Sequence, residues 1–70
     1  MSWIKVKDGY IRSGSVDYIR RSIYLFDDKY RLIFDLSNGD NAIYGEYDTR
    51  EECENQIEKL VNQFLDEREL

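Results

Sequence analysis

Residues 49–65 read TREECENQIEKLVNQFL, and the reading of this stretch decides the architecture. Cys53, Ile57, Leu60, Val61, Phe64 and Leu65 recur at i, i+4, i+7, i+8, i+11 and i+12, one apolar stripe of a helix with Glu, Gln, Asn and Lys opposite. Thr49 with Glu52 three residues on has the spacing of a capping box. Glu51, Glu52 and Glu54 set negative charge against the positive end of the helix dipole. Asp48 is an alternative cap. The pattern predicts a helix over about residues 49–67.

Upstream of Asp48 the period changes from that of a helix to two, the signature of half-buried strands. Strands are expected at Trp3–Lys7, Tyr10–Arg12, Val16–Leu25 with room for a break within it, Tyr30–Leu36 and Ala42–Tyr47. Asp8-Gly9, Ser13-Gly14, Asp27-Asp28-Lys29 and the run from Ser37 to Asn41 are the connections, because Gly, Asn and Asp accept the backbone angles that hairpin turns demand. Short connections imply antiparallel neighbours. The expected fold is therefore α+β: an antiparallel β-meander of about five strands over residues 3–47, a curved sheet or partial barrel, packed by one C-terminal helix. It makes a single domain over residues 1–70, since so short a chain buries only about 60% of its unfolded surface and supports one core.

Within Tyr30–Leu36, Tyr30, Leu32, Phe34 and Leu36 share the face that should meet the helix, and only Ile33 is apolar on the other. Tyr24 and Phe26 alternate with Ile23 and Leu25, and Tyr44 with Ile43, so both sheet faces carry large apolar groups. One helix covers one face. Either the sheet curls and buries the remainder, or Tyr24, Phe26 and Tyr44 form a surface for a partner or a second copy of the chain.

The 70 residues include one Cys and no His. That composition removes Ser-His triads, an imidazole base and conventional zinc sites, and leaves no reason to expect a cofactor or an enzyme. Cys53 near a helix start could be activated by the dipole, yet on the apolar stripe it packs as a small hydrophobe. Residues 35–41 are oxygen-rich like a calcium loop but lack its alternating acids and final Glu, so they read as a turn. With one thiol, no leader-like apolar run and no membrane-length segment, a cytoplasmic location is expected.

The formal charge of −5 argues against direct contact with nucleic acid or an anionic membrane. It is unevenly spread. Residues 1–31 hold seven bases against four acids, net +3, and residues 32–70 three bases against eleven acids, net −8. Glu51, Glu54 and Glu58 on the helix form an acidic face suited to the basic groove of a nucleic-acid-binding enzyme. Arg12, Arg20 and Arg21, with the Ser13-Gly14 loop, form an anion-binding candidate that points to an oligomeric binder sequestering a nucleotide.

Gly9-Tyr10-Ile11, Val16-Asp17-Tyr18-Ile19 and Gly45-Glu46-Tyr47-Asp48-Thr49-Arg50-Glu51-Glu52 resemble segments of small proteins from phages and low-GC Gram-positive bacteria. In these a β-meander precedes a helix, some in the manner of a trimmed pleckstrin-homology fold. The resemblance brings no catalytic residues. It implies a stoichiometric, non-catalytic binder of a host protein, of the kind that disarms host defences as inhibitors of CRISPR nucleases do.

Overall fold

Turn residues set the strand breaks. The computed structural model describes residues 2–23 and 26–69, with side chains through Asp66. It runs β1 (Trp3–Val6), β2 (Gly9–Arg12), a 3-10 turn (Ser13–Ser15), β3 (Val16–Ile23), β4 (Tyr30–Leu36), β5 (Asn41–Tyr47) and α1 (Arg50–Glu69). The α+β class and the order of five strands and a helix follow the sequence expectation. Tyr24 and Leu25, expected to end β3, lie outside the described residues. Lys7 and Asp8 form the first turn, and Gly9 beyond it adopts φ +152°, a conformation side chains with a Cβ rarely take. In the β4–β5 turn Asn38 Oδ1 accepts from the Asp40 N–H at 3.0 Å and Gly39 sits at φ +92°. The oxygen-rich run is thus engaged in turn geometry.

The meander is not continuous and no barrel closes. The strands form two sheets, one of β1 and β2 and one of order β3-β4-β5, all pairs antiparallel. The break falls at Ser13–Ser15, where the chain turns in a tight 3-10 bend instead of crossing to pair β2 with β3. Ser13 is buried there, exchanging bonds with Ser2: its N–H donates to the Ser2 carbonyl at 2.9 Å and its Oγ accepts from the Ser2 N–H at 3.3 Å. Among the described residues one backbone bond, Lys7 N–H to the Ile43 carbonyl at 2.8 Å, ties the turn of the first hairpin to β5.

The helix meets the expected face of β4. Leu32 and Phe34 are fully buried with Cys53 and Leu60 of α1 and with Ile4, Val6 and Val16, while Tyr30 and Leu36 pack half-buried around them. Phe34 is the centre of this cluster. Its ring lies 5.4 Å from Tyr44 and 6.2 Å from Phe64, tilted by 54° and 58°, the offset arrangements aromatic quadrupoles favour. Tyr44 was expected to offer an outward surface, and the structure turns it inward. Gly45 pairs with Leu32 while Ile43 pairs with Ile33, so Tyr44 is the extra residue of a bulge that breaks the alternation of β5. Beside it the Tyr47 phenol lies over Gly45, where a Cβ would stand 2.9 Å from its Oη.

The opposite sheet face is neither curled away nor apolar. Register places Tyr18, Arg20, Ser22, Arg31, Ile33, Asp35, Asn41, Ile43 and Glu46 there. Arg20 pairs with Asp35 at 2.8 Å, and Arg31 with Asp27 at 2.7 Å and Glu46 at 3.2 Å, with Lys7 joining Glu46 at 3.3 Å. The stems of Arg20 and Arg31 flank Ile33, which is buried on this side. Phe26, by contrast, is fully exposed at the β3–β4 turn.

Phe34→Ala removes the group on which both sheet and helix converge. Such truncations cost about 3–5 kcal/mol, as much as a core of this size supplies in total. The variant should lose its near-ultraviolet circular dichroism and its dispersed amide spectrum at 25 °C, while truncation of exposed Phe26 should leave both intact.

Candidate functional site

Thr49 caps the helix: its Oγ1 accepts from the Glu52 N–H at 3.2 Å and its carbonyl from the Cys53 N–H at 3.3 Å. From that start the helix presents two strips. The inner one, Cys53, Ile57, Leu60 and Phe64, faces the sheet and belongs to the core or packs on it. Val61 and Leu65 were expected in the same stripe, but they are 41% and 50% exposed. They fall with Glu51, Glu54 and Glu58 at i, i+3, i+7, i+10 and i+14, a second strip on the helix flank that is acidic in its first half and apolar in its second. The three-stranded sheet is too narrow to cover both strips.

Across from Val61 and Leu65 stands β3. Between them runs a groove of about 220 Å³ lined by Val16, Asp17, Tyr18, Ile19 and Phe64, Tyr18 lining it from the edge strand while the register turns its side chain to the outer sheet face. The expected acidic residues are not equivalent. Glu54 accepts from Arg50 Nε at 3.0 Å and pairs with Arg21, and these bonds, chiefly the one from Arg50, hold its carboxyl below the usual range. Glu51 and Glu58 make no ion pair among the described residues, so the outward charge of the strip is theirs.

Arg12, Arg20 and Arg21 do not converge. Successive strand residues face opposite ways, so Arg20 serves the outer sheet face while Arg21 meets Glu54 on the helix side. Arg12 stands apart on the hairpin, its guanidinium 5.2 Å from the centre of the Trp3 ring. A shared anion pocket for the three is not formed. Phe26 and Tyr44 are likewise apart, one exposed and one half-buried, and Tyr24 lies outside the described residues.

A surface that the sequence reading passed over lies on the first hairpin. Ile4 and Val6 point to the core, so Trp3 and Lys5 point outward, opposite Arg12 and Tyr10 respectively. Trp3 and Tyr10 are 64% and 65% exposed. The alternation of Trp3-Ile4-Lys5-Val6 across a two-residue turn was the available signal. Beside this face is a concavity of about 280 Å³ to which Trp3, Tyr10, Arg12, Ser37 and Asn38 contribute.

No family model matches the chain, nor does any curated protein or solved structure. Among the described residues no helix is long and apolar enough to cross a membrane, and no three His, Cys, Asp or Glu side chains are grouped to hold a metal ion.

Cys53 has no access to solvent, and burial pushes its thiol pKa up, against a smaller opposing pull from Arg21. Because the folded thiol ionises less readily than the unfolded one, its contribution to stability is complete below the ordinary value of about 9 and is lost as pH rises through the folded value. Ellman's reagent at pH 8 should therefore label Cys53 only as fast as the domain opens, with a rate that climbs with urea along the unfolding curve. A stoichiometric burst in native buffer would show an accessible, activated thiol.

Proposed function

We propose that this chain is a non-catalytic protein-binding module that acts stoichiometrically, covering a surface of its partner with the flank of α1 and the adjoining lip of β3. The observation that supports this reading is the exposure of Val61 and Leu65 beside a groove that Ile19 and Phe64 also line. An exposed apolar surface with a charged margin is the usual mark of a protein contact, and the branched side chains of Val61 and Leu65 are held by the helix beneath them.

Charge continues the same strip. Glu51 and Glu58 extend the apolar half toward the helix N-terminus, so the complementary partner surface is apolar at one end and basic at the other. A nucleic-acid-handling enzyme presents such a surface beside its substrate groove, and occupying it excludes the substrate. With the likeness to small phage proteins, this supports a counter-defence inhibitor of a host nuclease. The rival reading, nucleotide sequestration by Arg12, Arg20 and Arg21, has less support because the three guanidinium groups serve three different neighbourhoods.

A photo-crosslinking residue at position 65 should capture one heterologous protein in a 1:1 adduct from cells that contain the partner. Glu51→Lys with Glu58→Lys should reduce capture by tenfold or more, on the order of 0.7 kcal/mol for each of two reversed rim charges, and flatten its salt dependence without lowering Tm. Capture that is indifferent to both reversals, or an adduct of two copies of this chain alone, overturns the reading.

A further inference from the structure

We propose that the outer face of the β1-β2 hairpin binds single-stranded nucleic acid, stacking successive bases on Trp3 and Tyr10 and neutralising the adjoining phosphates with Lys5 and Arg12. This goes beyond the protein-binding reading and rests on a different surface. The hairpin register makes the face a checkerboard: Trp3 stands opposite Arg12 and Lys5 opposite Tyr10, so the two rings occupy one diagonal and the two cations the other.

Ion pairing separates these cations from the rest. Lys7, Arg20, Arg21, Lys29, Arg31 and Arg50 all have carboxylate partners. Among the described side chains only Lys5, Arg12 and Lys59 have none, and two of these three lie on the hairpin face. A net charge of −5 does not silence them, since charges more than about 8 Å away are largely screened at physiological salt. The face itself carries no acid.

The rings explain the preference for a single strand. Diagonal neighbours on an antiparallel pair stand roughly 7–8 Å apart, whereas stacked bases are about 3.4 Å apart. Consecutive bases reach both rings only when the strand is unstacked, and in a duplex the base faces are not available. The Arg12 guanidinium over Trp3 leaves the indole's other face for a base, in an Arg–Trp–base stack. The concavity shared by Trp3, Tyr10 and Arg12 gives one base a seat. Beyond Tyr10 the next groove is lined by Asp8 and Asp40, which ends the favourable track and limits the footprint to about two nucleotides.

Trp3 is the sole tryptophan, so its fluorescence reports on this face alone. Titration with a twelve-residue oligothymidylate, excited at 295 nm, should give saturable quenching, with little from a duplex of equal length. Two phosphate contacts predict that log K falls with log salt at a slope of about −1.4. Tyr10→Ala should weaken binding at least about fivefold, the low end for one lost base stack, and Arg12→Glu more; both side chains are exposed, and circular dichroism checks that both variants fold. Absence of quenching, unchanged affinity in Tyr10→Ala, or equal quenching by poly-L-glutamate, which would mark an acidic polypeptide site, each overturns the proposal.

Discussion

Burial of one ring organises this molecule. Phe34 sits in the middle of the central strand of its sheet, and its ring is met from within the sheet by Tyr44 and from the helix by Phe64. With Leu32 it forms the fully buried floor on which Cys53 and Leu60 rest. A fully buried apolar side chain contributes about 1.5–3 kcal/mol. Two such residues on β4 thus carry a large share of the marginal stability available to a domain of this size. The first hairpin joins the same cluster through Ile4 and Val6 rather than through an extended backbone ladder, which is why it can stand as a separate small sheet.

Because the core is small, most of the surface is organised by charge. The sheet face away from the helix is overlaid by alternating Arg and carboxylate groups, and Arg21 and Glu54 link sheet to helix on the other side. Individual exposed pairs stabilise little, typically 0–1 kcal/mol. Their larger effect is on which charges stay unpaired. By occupying most of the bases and several of the acids internally, they leave Lys5 and Arg12 on one surface and Glu51 and Glu58 on another. A chain with a modest overall charge thereby presents two surfaces of opposite sign.

The exposed apolar groups segregate in the same way. Trp3 and Tyr10 accompany the unpaired bases and Val61 and Leu65 the unpaired acids, while Tyr18, Ile23 and Phe26 are exposed elsewhere. Neither group is needed by the core. Exposed rings and branched side chains in a domain this small lower solubility and add nothing to folding, and their concentration beside unpaired charge is the property on which both proposed contacts rest.

Local pattern in the sequence determined the helix, its Thr49 cap, the succession of strands along the chain and the inward face of β4, because each depends on the periodicity of one segment and on turn residues within it, whereas the break between β2 and β3 into two sheets did not show there. The inward stripe of β4, Leu32 and Phe34, was legible for that reason. Tertiary structure alone decided which flank of the helix stayed wet, since the width of the sheet beneath it is not written in the helix. It decided that Tyr44 turns inward, because a bulge between Leu32 and Ile33 resets the alternation that the residues of β5 suggest. It separated Arg12, Arg20 and Arg21, neighbours in sequence that face different surroundings, and it set Trp3, Lys5, Tyr10 and Arg12 on one hairpin face through a register that only pairing of two strands creates.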